Sequence, residues 1–218
     1  MINLFIPENR FFVRKTDYVL ESLRSSILLG YIPPGTSITE KQIREVLKVS
    51  SSPIREALNQ LEAEGLLTRS PHVGTKVAEI VIEDARELYS IQALLQSSAV
   101  QICANKLSEA DIRAAEKLNS QISDMLQSDD VDLNSIKMSN YQFHMTVCGA
   151  SVYPWLTRLI SALWLRLPNK TIWTSPKEAK AAIRYHAEIL TAIKKGNAGL
   201  AGDLMKKHLQ RSQQVLYG

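Results

Sequence analysis

Apolar residues recur along this chain at helical spacing, and short polar or glycine-proline stretches interrupt them. From Thr16 onward, Leu20, Leu23 and Ile27 form one stripe, which predicts a helix. Gly30, Pro33, Pro34 and Gly35 end it, because glycine takes a left-handed cap and proline cannot continue the ladder. Thr39 followed by Gln42 predicts a capping box, opening a helix that buries Ile43, Val46 and Leu47. Lys48, Val49 and Ser50 then read as a turn, with Ser52 as N-cap and Pro53 at the first helical position. Ile54, Ala57, Leu58 and Leu61 fall at i, i+3, i+4 and i+7, the buried face of the next helix. Gly65 closes it, and Leu66–Arg69 with Thr75–Val77 read as two short strands around Pro71–Gly74. Beyond Ala78 every segment is helical: about Glu83–Lys106, Ser108–Gln127, Leu133–Gly149, Tyr153–Leu167, Pro176–Lys195 and Asp203–Tyr217, with Gly196, Gly199 and Gly202 read as the final turn.

The pattern predicts a mainly α protein. An N-terminal arm covers 1–15, a winged helix-turn-helix with a small two-stranded wing covers 16–78, and an all-α six-helix bundle covers 79–218. The length of 218 residues and 45% hydrophobic content suit two cores of this kind. Two cysteines without paired spacing argue against a disulfide framework. The start lacks a secretory pattern and no run approaches a bilayer span, so a cytoplasmic protein with no membrane partner is expected. A net charge of +4 is compatible with nucleic acid without requiring it, because basic and acidic residues nearly balance on both sides of Ala78.

Charge placement therefore matters more than bulk charge. A helix entering the major groove offers its N-terminal residues to base edges. Arg55 is the best-placed reader, since guanidinium bonds guanine O6 and N7 together, and Asn59 lies one turn on. Ser50, Ser51 and Ser52 are candidates for phosphate, Lys41 on the preceding helix is placed for the DNA backbone, and His72 and Lys76 are candidates to project from the wing. The competing reading is a helix pair serving only as scaffold.

The run SSSPIREALNQLEAEGLL, preceded by PPGTSITEKQIREVLKVS and followed by GTKV, resembles the winged helix-turn-helix of GntR-family transcription regulators. That resemblance implies a homodimer on a palindromic double-stranded operator, with Arg55 as the recognition-helix arginine and Lys41 on the DNA backbone. Two positions depart from the family pattern. Ser51 stands where arginine is usual, and the wing sequence PHVG lacks its frequent arginine.

In the helical part His144, His186 and His208 each fall on an apolar helix face, and Asn140 shares a face with His144. Either each is a core histidine with its own hydrogen bond, or the three share a divalent metal. A metallohydrolase would also need a carboxylate base, for which Glu178 and Glu188 are the nearby choices. The segments NYQFHM, YHAEILTAIKKGN and MKKHL resemble the ligand-binding domain of the FadR-type GntR subfamily, and six helices resemble its VanR-like branch. The resemblance implies zinc or nickel held by an aspartate and three histidines, with Asn140 in the aspartate's place. It also implies a small-molecule effector, often an organic acid, facing Gln92 and Gln96, where the family carries arginine and glutamate. Trp155, Trp164 and Trp173 serve either as cavity lining or as packing. The expected function is an effector-controlled transcriptional regulator and not an enzyme. A metal sensor without organic effector is the main alternative, and a metallohydrolase with a DNA module the remote one.

Overall fold

The structure is a computed structural model. It describes residues 2–6, 14–28, 30–70, 74–79, 82–128, 130–149, 152–164, 167, 173 and 175–218, without the side chains of 28, 82 and 83. His72 and Val73 of the expected wing turn, and most of the expected N-terminal arm, lie outside the described residues. The chain divides into two compact units, Met1–Val81 and Ile82–Gly218.

In the first unit, α1 (Lys15–Leu28), α2 (Glu40–Leu47) and α3 (Ser51–Ala63) accompany β1 (Ser37–Ile38), β2 (Leu67–Ser70) and β3 (Gly74–Val77). Thr39 and Gln42 form the reciprocal capping box that opens α2. Lys48 then adopts a left-handed conformation, φ 54°, and its N–H bonds back to Arg44, which ends α2 and turns the chain toward α3. Val19, Leu23, Ile43, Ile54, Ala57 and Leu61 are wholly buried and form the core under this helix pair. Two details differ from the sequence expectation. The N-cap of α3 is Ser50, not Ser52, so Pro53 sits at the third helical position, where a missing N–H still has no intrahelical partner. The sheet has three antiparallel strands in the order β1-β3-β2, not two. The added rung pairs Ser37–Ile38 with Thr75–Lys76, anchored by the buried Ile38.

The second unit holds α4 (Ile82–Cys103), α5 (Glu109–Met125), α6 (Leu133–Val147), α7 (Pro154–Trp164), α8 (Pro176–Lys194) and α9 (Ala198–Tyr217). α4 packs on α9 and α7, and α5 packs on α6 and α8. The core is built on Val100, Phe143, Val147, Ile160, Ile189 and Met205. The turn before α9 is tighter than its glycines suggest. Gly196 takes the left-handed position after α8, and Asn197 caps α9 by accepting from the Leu200 N–H. Gly199 and Gly202 therefore lie inside α9 and not in a linker.

Candidate functional site

Three histidines from three helices converge in the second unit. His144 of α6, His186 of α8 and His208 of α9 are all buried, with ligand nitrogens within 4.8 Å of one another. The Nε2 atoms of His144 and His208 are 3.3 Å apart, while Nε2 of His186 is buried without a hydrogen-bond partner. One turn before His144, Oδ1 of Asn140 is also buried and unpartnered. Phe143 stacks on the His186 ring at 3.9 Å between centroids, and Trp164 lies 4.9 Å from His144.

Two amide relays fix which ring nitrogen carries the proton. Gln92 Nε2 donates to the Ile160 carbonyl, and Gln96 Nε2 donates to Gln92 Oε1. Gln96 Oε1 must then accept, and it lies 2.7 Å from His144 Nδ1 and 3.8 Å from the Cys148 thiol. On the other side, Asn119 Nδ2 donates to the Ile183 carbonyl, so its Oδ1, 3.1 Å from His186 Nδ1, accepts. A carbonyl has no proton to give, so each relay has only one direction. His144 and His186 therefore keep their protons on Nδ1 and turn the Nε2 lone pairs inward. Burial pushes all three histidines toward the neutral form, His208 to about 4, and holds His144 and His186 well below the usual imidazole range, where a charge on His208 would add repulsion.

Inward lone pairs on neutral imidazoles are the state a metal ion needs. Two nitrogens bound at about 2.0–2.1 Å to one tetrahedral ion stand about 3.3 Å apart, and the His144–His208 pair already has that separation. Oδ1 of Asn140 lies one turn before His144 on the same helix, buried and unpartnered, and a neutral amide oxygen is a donor type such an ion accepts. The residues fit a divalent cation of the zinc or nickel type. Gln92 and Gln96 are fully buried, and their polar atoms are engaged behind His144. Glu178 is bound to Arg211 at 2.7 Å, and the exposed Glu188 is paired with Arg184 at 3.7 Å. Trp173 packs in a smaller core and Trp155 is exposed.

Asn119, beside His186 in the structure, does not stand out in the sequence as part of the centre. Its signal was present, since Ala115, Asn119 and Ile122 make one buried stripe on α5, and a polar residue in such a stripe needs a partner.

In the first unit the residues that the sequence offers as DNA contacts lie mainly on α2, on α3 and at the start of α3. Arg55 and Asn59 are exposed on α3, as are Ser50 and Ser52 at its start and Lys41 on α2. Ser51 and Lys76 are half-buried. The Arg55 Nε donates to Glu40 at 2.8 Å, and Arg44 Nη2 donates to the Ser51 hydroxyl at 2.7 Å. Neither Glu40 nor Arg44 stood out from the sequence, because both contacts arise from the packing of α2 on α3.

A winged helix-turn-helix unit followed by an all-helical unit is the architecture of a class of transcription regulators. Residues 15–77 match the family described as bacterial regulatory proteins, gntR family, and residues 87–211 match the FCD domain. The chain belongs to the GntR family of transcriptional regulators, in its FCD-domain form. It is 27% identical to the HTH-type transcriptional regulator YdhC of Bacillus subtilis, over 93% of this chain and 92% of that protein. Identity to LutR of the same organism is 28%, covering 87% and 95%. The solved structure of McbR/YncC from E. coli superposes with a TM-score of 0.85 at 23% identity, covering 94% and 98%, which establishes the shared fold. Among the described residues, no helix is long and apolar enough to cross a membrane.

Proposed function

We propose that this chain is a homodimeric, operator-binding regulator. In this reading residues 16–78 read DNA, and the bundle over 79–218 takes up a small effector at a divalent metal. His144, His186, His208 and Asn140 would hold that metal, zinc or nickel. Bound there, it supplies a Lewis-acid position for an effector oxygen. The observation that carries the reading is the pair of one-way amide relays, which aim two Nε2 lone pairs at a common point. Gln92, Gln96 and Asn119 act at one remove, holding ring orientation and tautomer. Asn140 contributes no charge, so the donor set is neutral and the ion keeps its full charge toward an incoming ligand. Ligand uptake biases the spacing of two reader units, and with it their fit to two half-sites.

The dimer is supported by exposed apolar rows on two packed helices. Leu94 and Ile102 stand out from α4, and Trp155 and Leu159 from α7, with Trp155 79% exposed. A second copy covering these rows removes apolar surface from water.

Metal analysis of the purified protein, followed by DNA affinity with and without chelator, tests the reading. About one zinc or nickel per chain, together with a chelator-sensitive effector response, is the expected result. If chelator alone switches DNA affinity and no small molecule adds to it, the protein is a metal sensor. A metal-free protein that takes up neither ion refutes the centre.

A further inference from the structure

The contacts between α2 and α3 form a two-rung ladder. Glu40 and Arg44 are one turn apart on α2, and Ser51 and Arg55 are one turn apart on α3, so each pair shares a face. One rung joins Glu40 to Arg55 at 2.8 Å, and the other joins Arg44 to Ser51 at 2.7 Å. The rungs differ in charge. In the first, a carboxylate neutralises the guanidinium. In the second, a hydroxyl orients the guanidinium and leaves its charge whole. Among the described residues no carboxylate forms an ion pair with Arg44, whose side chain is exposed. A guanidinium carries five N–H donors, so one bond to Ser51 leaves four for a further acceptor.

We propose that Arg44 is a DNA phosphate contact, held at the entrance of α3 by the Ser51 hydroxyl. This rests on the DNA-reading function proposed above. A planar fork fixed by a neutral anchor is suited to a phosphate, which it meets with paired hydrogen bonds and opposite charge. Arg44 is rooted on α2, the helix that crosses the DNA backbone in this motif, and not on the helix that enters the groove. It therefore positions the reader without selecting sequence. Position 51, which carries no cation of its own, receives one from the neighbouring helix.

The test uses the full chain and two duplexes of equal length. One is enriched by the wild-type protein from a random-sequence pool, and the other is unselected. Arg44→Gln keeps hydrogen-bonding capacity and removes the charge. It is expected to weaken both duplexes by a similar factor and to lower the slope of log affinity against log salt by about 1 per protomer. Adding Ser51→Arg to that variant is expected to restore the slope. An unchanged slope overturns the proposal, and so does a loss confined to the enriched duplex, which marks a base contact. Failure of Ser51→Arg to restore it overturns the assignment of Arg44 to that place. If wild-type protein binds neither duplex in a salt-dependent way, the DNA-reading function itself falls.

Discussion

Gly202 of α9 crosses α4 so closely that a β-carbon on it would stand 2.9 Å from the carbonyl oxygen of Ser97. The obstacle is backbone and cannot turn aside. His208 lies six residues further along the same helix, so the contact that admits α9 also sets the position of a histidine in the centre.

Gly202→Ala is accordingly expected to destabilise the protein by about 1–3 kcal/mol, the usual cost of forcing an extra group into a packed site. Gly199→Ala is the control. Its β-carbon meets only Asn197 Oδ1, at 3.9 Å, and replacing a helical glycine by alanine gains about 0.5–1 kcal/mol. Chemical unfolding of the two variants should move in opposite directions. A Gly202→Ala protein as stable as wild type contradicts the close crossing.

Asn140→Asp restores a negative donor beside three neutral imidazoles. Affinity for zinc or nickel should rise by about ten- to a hundredfold, the scale on which changes around a metal's ligands act. Competition against a chromophoric chelator measures it. Equal affinity in the two proteins would place Asn140 outside the coordination set.

Removing a relay should loosen the centre without touching a ligand. Gln96→Leu and Asn119→Leu each delete the acceptor that holds an Nδ1 proton, and each should weaken metal binding by about 10–100-fold. Nitrogen chemical shifts of the imidazoles add a separate check. The affected histidine should lose its single tautomer, His144 in the first variant and His186 in the second. A single unchanged tautomer in both would refute the relay.

At the reading face, Arg55→Ala should cost about 1–3 kcal/mol of preference at one base pair per half-site. Glu40→Gln tests the partner of Arg55. The exposed ion pair contributes little to stability, and Arg55 is 68% exposed, so the fold should be unaffected. Freed of Glu40, Arg55 samples more orientations and the local negative charge is gone. Affinity for unselected DNA should rise and the ratio of specific to unselected binding should fall. A ratio that stays at the wild-type value counts against Glu40 as a positioning residue.

What the sequence made legible is what its neighbours decide locally. Thr39 with Gln42 and Ser108 with Asp111 cap their helices as their spacing predicts, because both bonds close within one turn. The register that places His144, His186 and His208 on buried faces is likewise a property of each helix alone. Gly199 and Gly202 look like part of the final turn in the sequence because glycine weakens a helix, yet Gly202 serves a crossing with α4 that only the packed bundle contains. β1 leaves no mark in the sequence because Ser37–Ile38 is too short to show alternation and acquires its strand character from β3. The relays join residues 48 and 67 positions apart, and no local pattern encodes those pairings.

Both relays end on main-chain oxygens, those of Ile160 and Ile183. Every amino acid supplies such an oxygen, so the outer ends of the relays survive any substitution that keeps helices α7 and α8 in place. The polarity of a buried centre assembled from six helices thus depends on three amide side chains, at positions 92, 96 and 119. The side chains at 160 and 183 are left to meet the demands of packing alone.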